Sequence, residues 1–181
     1  RRPEQVISDS GFFNFGGHLF MDDKKGGHGI VDMYKSIVQS CNTYYYMLAN
    51  DMGIDNISAF MGQLGLGSRT GIDIDGESEG VLPSQEWKKK RFKKPEQQKW
   101  YAGETISIGI GQGYNAYTPI QLAHATANLA NNGVVFRPHL VKFITDTKSG
   151  ERTLIEPKPT RTIGLRPEHV EVIKNAMVGV N

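Results

Sequence analysis

Three observations predict an α+β fold for this chain. "TPIQLAHATANLANNG" carries a complete helix start-and-stop signature, "HLVKFITD" and "ERTLIE" flank a turn at "TKSG" as hairpin strands do, and helices and a few strands follow one another in mixed order. The 181 residues suffice for one sizeable domain with its own core. Hydrophobic residues make up 38% and charged residues 22%, the balance of an ordinary globular chain. No run approaches the roughly 20 apolar residues of a membrane span. "RRPEQVISDS" has two arginines but lacks the apolar stretch of a signal peptide. The polar opening, and the stop at "AMVGVN" after an apolar helical pattern, read as the edges of a segment of something longer.

Each element follows from local chemistry. Residues 1 to 29, with "GFFNFGGHLF" and "KKGGHGI", read as glycine-rich loops with short extended pieces. Asp32 is placed to cap a helix through "MYKSIVQ". A second helix is expected from about Thr43 to Met52, stopped by Gly53. Asp55 is placed to cap a third, with Ile57, Phe60, Met61 and Leu64 on one face and Gly65 at its end. "TGIDIDGESEGVLP" reads as loop with a short strand. In "ETISIGIGQG", Ile106, Ile108 and Ile110 alternate before the glycines take over. Thr118, Pro119 and Gln121 supply the cap, first position and capping box of the next helix, which Gly133 ends. "RPEHVEVIKNAMVGV" reads as a last helix.

Net charge is +2, unevenly spread: "EWKKKRFKKPEQQK", residues 86 to 99, holds seven Lys/Arg against two Glu. This block reads as a solvated basic loop, and it lacks the glycine-aromatic signatures of RNA-binding modules, so no nucleic-acid partner is expected. A single cysteine, Cys41, excludes an internal disulfide. It lies in "QSCNTYYY", between Ser40 and Asn42. Short polar side chains at such a place commonly cap a helix. They also suit amide chemistry: a serine hydroxyl passes protons, and an asparagine amide both donates to and accepts from a peptide.

The stretches "VDMYKSIVQSCNTYYYMLANDMGID", "GLGSRTGIDI", "EWKKKRFKKP" and "GETISIGIGQGYNAYTPIQLAHATANLANNGVVFRPHLV" resemble the transpeptidase domain of penicillin-binding proteins, and within them the elongation-specific type of penicillin-binding protein 2. The resemblance runs over nearly the whole chain. It implies part of the penicillin-binding-protein/serine β-lactamase-like fold, a helical part with pieces of an antiparallel sheet. It also implies a serine acyl-enzyme D,D-transpeptidase that crosslinks peptidoglycan stem peptides during cell elongation, needs no cofactor for catalysis and is the target of β-lactams. In that family the active site combines Ser-x-x-Lys, Ser-x-Asn and Lys-Thr/Ser-Gly. The resemblance puts the second motif on Ser40 and Asn42, as proton relay and substrate contact. No serine here has a lysine three positions on, and Lys148-Ser149-Gly150 falls in the hairpin turn, before the place of the true third motif. Residues 1–181 therefore read as a single segment of a transpeptidase domain that lacks the parts before and after it. Implied partners are stem peptides, β-lactams, a membrane glycan polymerase and other elongation-complex proteins. The implied location is the periplasmic face of the bacterial inner membrane. Two other classes stay open: a non-catalytic penicillin-binding sensor and a metal-stabilised binding module.

The second alternative has residues behind it. Asp9, Asp22, His28 and Cys41 form the pattern Asp-x12-Asp-x5-His-x12-Cys, a donor set that suits a closed, structural Zn2+ site. A metal there would pin the glycine-rich loop and set a clamp beneath Ser40 and Asn42. Asp23 is an alternative to Asp22 in this pattern, which matches no standard zinc motif. In the competing reading Cys41 is a small buried apolar residue and His28 is held by its glycines.

Overall fold

A computed structural model describes residues 2–180. The glycine-rich opening folds as two small antiparallel sheets. β1 (Ile7–Asp9) pairs with β4 (Gly29–Val31), setting Ile7 opposite Val31 and Asp9 opposite Gly29. β2 (Phe12–Phe15) and β3 (His18–Met21) form a hairpin closed by Gly16 and Gly17, both at positive φ. Gly27 is where the loop passes closest to itself: a Cβ there would lie 2.3 Å from the Asp9 carbonyl oxygen and 2.4 Å from Gly11 N. Both neighbours are backbone, so no rotamer change relieves the clash, and φ is +77°. Gly27→Ala is expected to destabilise the protein by about 2–4 kcal/mol, read as a lowered melting temperature.

Asp32 caps α1 (Met33–Val38), its Oδ1 accepting from Lys35 N at 2.8 Å. α2 spans Asn42–Gln63 and is broken at Gly53, which sits at φ 72° and ψ 159°. The expected stop at Gly53 is thus a kink between two consecutive helical stretches. Asp55 does not cap the second stretch; its carboxylate accepts from the Gln85 side chain. α3 (Gln85–Arg91) starts at Ser84, α4 (Pro95–Gln98) is one turn, and α5 (Ala102–Ile108) follows. α6 (Pro119–Ala130) has both halves of the expected capping box, Thr118 with Gln121. β5 (Val134–Phe136) pairs with β8 (Pro159–Thr162), and β6 (Phe143–Thr145) with β7 (Arg152–Leu154) as the predicted hairpin. α7 (Pro167–Val178) ends the fold.

The chain divides into two compact units. The first comprises Arg1–Phe60, Leu82–Asn115 and Arg166–Asn181, and the second Met61–Val81 and Ala116–Leu165. In the first, Ile7, Val31, Cys41 and Tyr44 form a buried cluster with Met33, Tyr45, Met47 and Leu48 against it. α7 packs on α1 so closely that a Cβ on Gly179 would meet the Tyr34 hydroxyl at 2.6 Å. In the second, the fully buried Gln121 amide donates to the carbonyls of Ser68 and Glu79, tying the segment between α2 and α3 to α6.

Two sequence expectations need correction. The alternation of Ile106, Ile108 and Ile110 is not an extended pattern, because residues 102–108 are helical and Ile106 and Ile108 are both buried. The basic block is not a solvated loop throughout: residues 85–91 are a helix, and Lys88 is 3% exposed. Composition hid this, since nothing in the run of seven basic residues marks which one turns inward.

Candidate functional site

Ser40 sits in a helix-ending turn. Its own N–H donates to the Ile37 carbonyl at 3.2 Å, and that of Cys41 to the Ser36 carbonyl at 3.0 Å, the paired bonds of a Schellman cap closing α1. The residue at the pivot must be left-handed, and Ser40 has φ 54°, where glycine is the usual occupant. Ser40 is therefore not an N-cap for α2. Asn42 is the first residue of α2, and the N–H of Thr43 donates to Asp22 Oδ2 at 2.7 Å, so a carboxylate from 21 residues upstream serves the helix start. A serine held in a strained backbone at a helix junction is a constraint that functional sites carry.

The turn splits its three side chains between two sides. Ser40 is exposed and Asn42 half-buried, whereas Cys41 is fully buried. Ser40 and Asn42 face a cleft of about 320 Å³ lined also by Ser36, Ile37, Tyr45, Gly109 and Ile110. Ser36 Oγ donates to the Met33 carbonyl at 2.7 Å and lies 3.3 Å from the Tyr45 hydroxyl. Burial pushes the Tyr45 phenol up, so it stays a neutral hydrogen-bonding wall. The cleft thus presents one hydroxyl and one amide at its mouth over a partly apolar floor.

On the other side of the turn, Cys41 meets the opening loop. Asp9, Asp22, His28 and Cys41 each offer one donor atom, and these four atoms lie within 4.8 Å of one another. Cys41 Sγ is 3.5 Å from Asp9 Oδ2 and 3.5 Å from Asp22 Oδ2. His28 Nδ1 lies 2.8 Å from Asp9 Oδ2 and 3.7 Å from Asp22 Oδ1. Both carboxylates are fully buried, and His28 nearly so. Asp23 is exposed, so Asp22 is the carboxylate of the pattern. Burial pushes the Asp9 carboxyl up, but hydrogen bonds from the Gly11 N–H and from the His28 N–H and ring outweigh it and hold the group well below the usual carboxylate range. Asp22 is likewise held low: burial opposes ionisation, and the hydrogen bond from the Thr43 N–H favours it. Burial and the adjoining Asp9 and Asp22 charges push the Cys41 thiol up to about 12. Even with His28 protonated, two carboxylates against one imidazolium leave a net negative charge in a dry pocket. The four donors form a group that could hold a metal ion. Lys35 Nζ caps the His28 and Ile30 carbonyls, each at 2.8 Å, and so ties the loop to α1.

The Lys148-Ser149-Gly150 run lies in the β6–β7 turn, exposed, with the Asp146 carboxylate accepting from Lys148 N at 2.8 Å and Ser149 N at 2.7 Å. That is an ordinary turn built on an aspartate. The feature that sequence reasoning missed is an inward Lys88, paired with Glu104 and ringed by Trp100, Tyr101 and Tyr114. The available signal was Trp87 and Phe92, which interrupt the basic block and whose rings meet Tyr114. Among the described residues, no helix is long and apolar enough to cross a membrane.

The chain is similar in sequence and fold to known proteins. The peptidoglycan D,D-transpeptidase MrdA of Acinetobacter baumannii is 51% identical over 139 residues, which is 76% of this chain and 20% of that protein. The crystal structure of Pseudomonas aeruginosa PBP2 in complex with WCK 5153 superposes with a TM-score of 0.81 at 38% identity, over 97% of this chain and 38% of that one. Helicobacter pylori PBP2, solved as a complex with MreC, gives a TM-score of 0.80 at 27% identity, over 99% of this chain and 31% of that one. The chain thus spans well under half the length of each. The match to the transpeptidase domain of penicillin-binding proteins covers residues 2–181, so the chain belongs to that family.

Proposed function

We propose that this chain is a single segment of the transpeptidase domain of a periplasmic peptidoglycan D,D-transpeptidase acting in cell elongation, and that it supplies one wall of the active site. The observation that carries this reading is the cleft in which Ser40 and Asn42 stand together while Cys41 turns away. In the intact protein a serine nucleophile outside residues 1–181 attacks the D-Ala-D-Ala bond of a stem peptide, releases D-alanine, and passes the acyl group to the amine of a neighbouring stem. The Ser40 hydroxyl relays the proton to the leaving nitrogen. Asn42 donates to and accepts from the substrate amide and so holds it for attack. β-Lactams enter the same cleft. The partners in this reading are a membrane glycan polymerase and other elongation-complex proteins; the MreC complex of the Helicobacter pylori relative supports an assembly of this kind.

We further propose that Asp9, Asp22, His28 and Cys41 hold a structural Zn2+. The donor set, its burial and its unbalanced negative charge support this, and four protein donors leave no open position for chemistry. The ion would pin the loop of residues 9–28 beneath the Ser40 turn. Its role is positional, and no catalytic step uses it.

The test is acylation of the full-length protein by a labelled penicillin. Lys148→Ala is expected to leave the rate within a few-fold of wild type, because the residue sits in an exposed turn. A loss as large as that caused by changing Ser40 would move the third motif to residues 148–150.

A further inference from the structure

Gly109 and Ile110, the first residues of the glycine-rich run 109–113, line the same cleft as Ser40 and Asn42. Three of its five positions are glycine, and Gly111 and Gly113 lie at φ 78° and 71°, so the run has little side-chain stiffness of its own. Something must hold it, because Gly109 passes within touching distance of α2: a Cβ there would meet the Ala49 Cβ at 2.4 Å and the Tyr45 carbonyl at 2.9 Å.

The Glu104 carboxylate brackets the run. Oε2 accepts from Tyr101 N–H at 2.8 Å at the start of α5, and Oε1 accepts from the Tyr114 hydroxyl at 2.9 Å, immediately beyond Gly113. Lys88 Nζ donates to the same Oε1 and to the Lys99 carbonyl at 2.8 Å. The rings of Trp100, Tyr101 and Tyr114 have their centroids 5.7, 5.3 and 5.5 Å from that ammonium. Burial pushes the Glu104 carboxyl up, but the bonds from Lys88, Tyr101 and Tyr114 outweigh it and keep the group ionised. A buried ion pair of this kind adds little net stability over an apolar pair of the same shape; what it adds is one fixed geometry. Here that geometry joins α3, the start of α5 and the far end of the 109–113 run.

We infer that the Lys88–Glu104 pair, acting through Tyr114, is a positioning device that sets the Gly109–Ile110 wall of the cleft and thereby substrate affinity. This rests on the cleft being the acyl-transfer site proposed above. The pair touches no substrate; Lys88 and Glu104 are positioning residues.

The experiment uses the full-length protein and resolves penicillin acylation into a binding constant and a limiting acylation rate. Lys88→Met and Tyr114→Phe are compared with wild type, and Ser40→Gly serves as the control for the cleft itself. Lys88→Met is expected to weaken binding about tenfold with the limiting rate within about threefold, and Tyr114→Phe to act in the same direction but less. Backbone amides of residues 109–113 should exchange with solvent faster in both. Tyr114→Phe keeps the ion pair and nearly all the packing, so it gives a reading even where Lys88→Met folds poorly. Unchanged binding in the folded variants, with Ser40→Gly slowing the limiting rate, overturns the positioning role alone. A Ser40→Gly protein that acylates normally overturns both this inference and the reading of the cleft.

Discussion

Replacing Ser40 by glycine in the full-length protein is expected to slow acylation by a labelled penicillin roughly 10²–10⁴-fold, the range for a lost proton relay, with no loss of thermal stability. Most changes at catalytic residues confound chemistry with folding, and this position separates them. Ser40 occupies the left-handed pivot of the turn that closes α1, at φ 54°. Glycine takes that conformation without the Cβ conflict, which is worth about 1 kcal/mol, and gives back a similar amount through the greater freedom of the unfolded chain. The melting temperature should stay within a few degrees of wild type. The turn's two backbone bonds, to Ile37 and Ser36, use no side-chain atom of Ser40 and survive the change. A variant that acylates at the normal rate would leave Ser40 as a turn residue only, and one that melts far lower would show the hydroxyl supporting the fold.

The second large effect concerns Cys41. Full-length protein purified without chelator or a histidine tag is expected to carry one equivalent of zinc. Adding a strong chelator should lower its melting temperature by roughly 10 °C: an ion present at 1,000 times its dissociation constant stabilises by about 4 kcal/mol, and each kcal/mol shifts a domain of this size by about 2–4 °C. Cys41→Ser and His28→Ala should abolish both the zinc and the chelator effect. Binding must expel the thiol proton, so affinity should rise about tenfold per pH unit near neutrality. The sign follows for the metal-free protein. The Cys41 pKa is raised from 9.0 to about 12 in the fold, so the stability it contributes is complete below pH 9.0 and is lost as pH rises through that window. Asp9 is depressed below 3.8, so its contribution is present above that pH and is lost as pH falls further. Zinc removes the alkaline loss by holding the thiolate, and chelated and zinc-loaded proteins should diverge most above pH 9. Metal-free protein as isolated, with a melting curve indifferent to chelator, would leave Cys41 as core packing beside Val31 and Tyr44.

Much of the fold was legible because its signals are local. Asp32 before α1, the Thr118–Gln121 box and the breaks at Gly53 and Gly133 each act within four residues, where a single hydrogen bond or a positive φ decides the outcome. The hairpin of β6 and β7 was readable for the same reason. Residues 102–108 were not: three isoleucines two apart carry a strand's period, yet packing buries Ile106 and Ile108 within a helix.

By itself, the sequence determined the element order, the donor types of the Asp9, Asp22, His28 and Cys41 set, and the Ser40–Asn42 pair, since these depend on residue identity and short spacing. Only the tertiary structure decided that Asp22 rather than Asp23 turns inward, that Ser40 is the left-handed pivot closing α1 and not a cap for α2, and that Lys88 leaves its basic neighbours to meet Glu104. The first and third share one physical reason, whereas the Ser40 pivot is closed by local bonds to Ile37 and Ser36. Which way a side chain turns at a junction is set by the burial and hydrogen bonding of groups 16 to 32 residues away, as for Lys88 with Glu104 and Cys41 with Asp9, and no local preference encodes that sum.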